Sequence, residues 1–149
     1  MRGVIQRVSR ASVEVNGSIV GAIEHGLLAL IGVSIDDTPD DARGLAAKIA
    51  GLRIFKDAQG DMNLTLAEVG GSILAVSQFT LLGDVRKGRR PSFITAARGP
   101  EASALYAHVV SDLRAAEITV ETGIFGATME VTLVNSGPVT ILLDTKRLF

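Results

Sequence analysis

Leu27-Leu28-Ala29-Leu30-Ile31-Gly32-Val33 is apolar throughout, with no polar residue at alternate positions. A strand with one wet face alternates, so a run that does not alternate reads as a strand covered on both faces. Upstream, residues 4–15 carry strand-type residues, with Val13 and Val15 alternating against Ser12 and Glu14. Asn16-Gly17 is a strong hairpin signal, and residues 19–23 return as a second strand. Downstream, Thr38-Pro39-Asp40-Asp41 reads as a helix start: Thr38 as N-cap, Pro39 at the first helical position, acidic residues at the positive end of the dipole. Ala42, Leu45, Ala46, Ile49 and Leu52 then form one apolar stripe.

Gly70-Gly71 precedes Ser72-Ile73-Leu74-Ala75-Val76, a second buried-strand pattern. Gly99-Pro100-Glu101 opens a second helix, whose Ala102, Leu105, Tyr106, Val109, Val110 and Leu113 keep helical spacing. Three strands close the chain, over residues 118–121, 129–134 and 139–143. Gly137-Pro138 lies between the last two and reads locally as a hairpin connection. The order is three strands, helix, strand, helix, three strands. This is a mixed α/β composition with a sheet and helices on one side of it. Residues 27–33 and 73–76 are the expected inner strands, and residues 1–149 are expected to form one domain.

The 149 residues are 47% hydrophobic and 21% charged, a globular composition. A net charge of −1 excludes a strongly basic nucleic-acid binder but leaves room for a local basic patch. Without cysteine there is no disulfide, thiolate catalysis or cysteine-held metal. The first ten residues lack the apolar core of a signal peptide, and the run 27–33 is too short to span a bilayer. The expectation is a soluble cytoplasmic protein without a membrane partner.

Four features bear on chemistry. Ser77, Gln78, Phe79 and Thr80 directly follow a buried strand, and the carboxyl end of such a strand is a common place for a site. The plainer alternative is a strand end whose hydroxyls satisfy local backbone groups. A hydroxyl nucleophile needs an adjacent base, and no histidine or lysine is near in sequence. If hydrolysis occurs, the contribution expected of the protein is the N–H groups of Phe79 and Thr80 on an oxyanion, with the substrate supplying its own hydroxyl. Asp36, Asp37, Asp40 and Asp41 suggest a cation site, but capping and solvation explain them better. His25 and His108 are too far apart for a metal motif. In Arg86-Lys87-Gly88-Arg89-Arg90-Pro91, four of six residues are basic. That segment reads either as a solvated face or as a phosphate-contacting loop.

Ser77-Gln78-Phe79-Thr80-Leu81 together with Asn135-Ser136-Gly137-Pro138-Val139-Thr140 closely resembles the bacterial D-aminoacyl-tRNA deacylase family. Gln6-Arg7-Val8, Gly26-Leu27-Leu28, Met62-Asn63-Leu64 and Arg90-Pro91-Ser92-Phe93 match as well, so the resemblance covers essentially the whole chain. It implies a homodimer of a three-layer β/β/α fold that cleaves the ester between a D-amino acid and the 3′-terminal adenosine of tRNA. It also implies action on glycine mischarged on alanine tRNA, with no cofactor and no metal. A cis Gly137-Pro138 pair would reach into the partner's site and exclude L side chains through two carbonyls. Ser77, Gln78, Phe79 and Thr80 would line the ester and the adenosine, whose 2′-hydroxyl assists. Arg7 would hold the Gly-Pro loop. Phe125 and Met129 would line the substrate pocket, although periodicity alone makes Met129 a core residue. A Ser/Thr hydrolase of small esters and a non-catalytic RNA-binding module are the competing readings.

Overall fold

The computed structural model describes residues 1–148. The chain runs β1 (Arg2–Val15), β2 (Ser18–Ile23), β3 (Gly26–Gly32), α1 (Pro39–Ala50), β4 (Phe55–Lys56), β5 (Met62–Leu64), β6 (Ser72–Ser77), α2 (Gly99–Ala115), β7 (Val120–Thr122) and β8 (Glu130–Asp144), with a 3₁₀ turn at Phe79–Leu82. Phe149, the last residue of the unassigned tail 145–149, lies outside the described residues.

The main sheet has the order β2-β1-β3-β6-β7, with β8 on the other edge of β1. β6 runs parallel to β3 and to β7, and the remaining pairs are antiparallel. β3 and β6 are thus inner strands, as their unalternated composition requires. Their successive residues go to different cores. Leu27, Ala29, Ile31, Ile73 and Ala75 pack with Leu45, Ile49, Val109 and Leu113 of the two helices. Leu28, Leu74 and Val76 pack instead with Val8, Ala11, Val13 and Ile23 of β1 and β2. Neither face meets water, so neither needs polar residues. The result is three layers: the helices, a central sheet of β3, β6 and β7, and a second β layer in which β1, β2 and β8 continue the same sheet over its other face.

The local signals hold where they were strongest. Asn16 and Gly17 both take positive φ, 51° and 80°, as the β1–β2 turn requires. At the start of α1, the Asp41 carboxylate accepts from Thr38 N and Thr38 Oγ1, both at 2.9 Å, and from Lys146 Nζ at 2.8 Å. Burial raises the Asp41 pKa, but the hydrogen bonds from Lys146, Thr145 and Thr38 outweigh it and hold the carboxyl well below its usual range. One of the four aspartates is therefore a cap.

The C-terminal strands differ from expectation. The expected strands 129–134 and 139–143 are not joined by a hairpin: from Glu130 onward both belong to the single strand β8. Both parts run the same way along β1: Val131 to Val134 beside Val13 to Arg10, then Thr140 to Asp144 beside Gln6 to Arg2. Residues 136–139 stand out between them, opposite Arg7. A glycine and a donor-less proline suit a bulge as well as a turn, and only the tertiary partner decides which forms. The Gly137–Pro138 peptide is cis. β8 also changes core at this point. Val131 and Leu133 pack against the second β layer, whereas Val139, Ile141 and Leu143 pack against the helical core.

Candidate functional site

Pairing along β6 stops at Ser77, where Gln78 N donates to Ile31 O at 2.7 Å and the chain turns into the 3₁₀ segment. Ending an inner strand there opens a cavity of about 550 Å³ at the edge of the central sheet. Ser77, Gln78 and Phe79 form one wall, while Phe125, Gly126 and Met129 form another. Ile31, Val33, Val76 and Val131 supply apolar lining, and Arg98, Gly99 and Ala102 bring in the start of α2. Of the residues singled out in the sequence, the fold therefore brings five to one cavity: Ser77, Gln78, Phe79, Phe125 and Met129.

Thr80 sits beside this group without lining the cavity. Its hydroxyl accepts from Gln78 Nε2 at 2.5 Å. No carboxylate, histidine or lysine lines the cavity among the described residues, and Arg98 is its one charged side chain. His25 lies edge-on to Phe55 with ring centroids 5.2 Å apart. His108 faces Asp112, with Nε2 3.5 Å from the carboxylate. Neither is placed to take a proton from Thr80, so a triad-type hydrolase is not built here.

Arg7, Gly137 and Pro138 make a second, separate group. Arg7 is buried, at 7% exposure. Its Nε donates to Ser136 O at 2.8 Å and its Nη1 to Ile54 O at 2.5 Å. Asn135 closes the bulge from within: its Oδ1 accepts from Val139 N at 2.7 Å, and its Nδ2 donates to Val139 O at 3.1 Å. Gly137 has φ 143°, and a Cβ there would lie 2.9 Å from Arg7 Nη2 and 2.7 Å from Val139 Cγ2. Glycine is needed on both counts. Gly137 and Pro138 remain exposed. Arg7 pairs with Leu27, which pairs with Ile73, four residues before Ser77. At about 3.3 Å per residue this separates the two groups by roughly 13 Å along the ladder within one chain.

Three further residues reach the site, Phe93 from one of the matched stretches and Tyr106 and Arg98 without such a signal. Phe93 meets Phe79 edge-to-face with centroids 5.0 Å apart. Tyr106, read as core from its helical spacing, donates its hydroxyl to Ala75 O at 2.9 Å and lies against Phe125, centroids 5.9 Å apart. Burial pushes its pKa up to about 12, so it stays a neutral donor. Arg98 is the N-cap residue of α2, and its position just before Gly99-Pro100 was the available hint.

Residues 4–144 match the model of a family described as D-Tyr-tRNA(Tyr) deacylase. A D-aminoacyl-tRNA deacylase of Anaeromyxobacter dehalogenans (strain 2CP-C) is 61% identical over 149 residues, all of both chains. One from Koribacter versatilis (strain Ellin345) is likewise 61% identical over 149 residues and the full length of both. Among solved structures, the c-Myc DNA Unwinding Element Binding Protein matches with a TM-score of 0.90 at 39% identity, over 97% of this chain and 98% of that one. A probable eukaryotic D-amino acid tRNA deacylase matches with a TM-score of 0.80 over 95% and 97% of the two chains, and at 21% identity it bears on the fold alone. By matched length and by identity, the chain belongs to the D-Tyr-tRNA(Tyr) deacylase family of hydrolases.

Proposed function

We propose that the chain hydrolyses the ester linking a D-amino acid to the 3′-terminal adenosine of tRNA, as a homodimer in the cytoplasm, and that it also removes glycine from alanine tRNA. The observation that carries this reading is the cavity beyond β6, which combines an apolar lining with polar groups but holds no base. Such a site suits a substrate that brings its own reactive hydroxyl. The adenosine 2′-hydroxyl, one carbon from the ester, would orient or activate the attacking water. Phe79 and Thr80 open the 3₁₀ turn, where a helix leaves its first N–H groups unpaired. Those two donors would take the developing oxyanion. Gln78, tied to Thr80 Oγ1, and Ser77 would hold the ester and adenosine in line.

Selection would fall to Gly137 and Pro138 of the second copy. The separation of this loop from the cavity within one chain supports a contribution across a dimer. Arg7 and Asn135 fix the loop from both sides, so its carbonyls would meet the amino group and Cα of the substrate in one place. An L side chain would collide, a D side chain would point away, and glycine would pass. Rejection of this kind works by clash more than by attraction. Phe125 and Met129 would bound the space left for the amino acid.

Incubation with D-Tyr-tRNA and L-Tyr-tRNA tests the reading directly. The D ester should be lost at least about 100-fold faster, since a steric clash is worth several kcal/mol. Equal loss, or none, would overturn it. Thr80→Ala should keep activity within about ten-fold of wild type, because the hydroxyl has no base to make it a nucleophile. A loss of about 10⁴-fold in single-turnover rate would instead make Thr80 the attacking group.

A further inference from the structure

We infer that the strap joining the 3₁₀ turn to α2, residues 83–98, is a phosphate-binding track that leads the unpaired 3′ end of an RNA into the cavity. This rests on the reading of the cavity as an aminoacyl-tRNA site and names the surface that would hold the nucleotides before the terminal adenosine. The chain carries a net charge of −1, yet residues 85–100 contain Arg86, Lys87, Arg89, Arg90 and Arg98 and no carboxylate. Positive charge this local in an otherwise balanced protein is the footprint of a polyanion.

The strap is built, not merely basic. Asp84 N donates to Ser92 O at 2.8 Å and Ser92 N to Asp84 O at 2.9 Å, closing residues 85–91 into a tight loop. Arg86 folds back on Asp84, with Nε and Nη2 donating at 2.9 and 2.6 Å, and is consumed as a brace. Arg89, Arg90 and Arg98 form no ion pair among the described residues, and all three are exposed. The C-terminal part of the strap is fastened to the cavity. Phe93 packs on Phe79, Ala97 N donates to Val33 O at 2.8 Å, and Arg98 lines the cavity itself. The cations therefore lead from an exposed loop tip to the rim of the site. The Phe79–Phe93 pair lies between them, with Phe79 51% exposed as a face on which a base could stack. Cations followed by an aromatic pair fit a phosphodiester strand with exposed bases better than a duplex, whose bases are covered.

The test is the variant Arg89→Ala/Arg90→Ala, assayed on D-Tyr-tRNA and on D-tyrosyl-adenosine, the same ester without any phosphate. Activity on the tRNA should fall about ten-fold through KM, while the nucleoside ester is cleaved as by wild type. The slope of log(kcat/KM) against log[salt] for the tRNA should shrink by about 1 to 2, the share of two phosphate contacts. Arg89→Lys/Arg90→Lys should retain most of the tRNA activity, since a backbone phosphate asks for charge. Equal loss on both esters would make the strap a structural element. No loss on tRNA, or a loss with an unchanged salt slope, would likewise overturn the proposal. If wild type cleaves neither ester, the functional reading itself fails. The strap is then still judged by the Kd of deacylated tRNA, wild type against variant, and equal values would remove it.

Discussion

A tRNA that ends in 2′-deoxyadenosine and carries D-tyrosine on its 3′-oxygen should be turned over roughly 10²- to 10⁴-fold more slowly than the natural ester, the range that proton transfer by a placed group contributes. The expectation follows from what the cavity lacks. Its single charged side chain is Arg98, and neither histidine of the chain lines it. Water alone is a poor nucleophile toward an ester. A base or an orienting hydroxyl must come from somewhere, and the vicinal 2′-hydroxyl is the nearest group the substrate offers. Single-turnover deacylation at saturating protein isolates the chemical step from binding. A deoxy substrate cleaved within about three-fold of the natural one would remove the 2′-hydroxyl from the mechanism. The protein would then need a base that its cavity does not hold.

Gly26→Ala should cost more than about 4 kcal/mol, a large share of the 5–15 kcal/mol typical of a folded domain. Gly26 opens β3 and pairs with Ser72 at the start of β6. A Cβ built on it would sit 1.9 Å from Ser72 O and 2.8 Å from Ser72 N and C. These are backbone atoms of an inner strand, so no side chain can rotate away. The whole β3–β6 ladder would have to part, and both cores share that ladder. Thermal and urea unfolding should show a drop in Tm of about 10 °C or more, or no folded protein at all. A Tm within a few degrees of wild type would mean that the sheet is far more pliant here than its packing indicates.

Much of the fold was legible because its decisive signals are local or periodic. The unalternated run at β3 required cover on both faces, and Thr38-Pro39 and Gly99-Pro100 marked the helix starts. β8 was misread for the opposite reason. Gly137-Pro138 carries the local grammar of a turn, and only β1, continuing past it on both sides, makes it a bulge. The site divides the same way. Ser77 to Thr80 were legible as a strand end, and Phe125 and Met129 through a family pattern. Phe93, Tyr106 and Arg98 reach the site through packing between distant segments, which no spacing along the chain encodes.

The bulge on β8 has a consequence for how errors would arise. Half-buried residues on one side of it pack against the second β layer and those on the other side against the helical core. Freeing Gly137 and Pro138 therefore breaks the Arg7 and Asn135 hydrogen bonds and disturbs contacts with both cores. The basic loop 85–91, fully exposed beyond its Asp84–Ser92 closure, opens at far lower cost. If the loop holds RNA and the bulge is the filter, as proposed, warming should loosen the grip on RNA before the discrimination between mirror images.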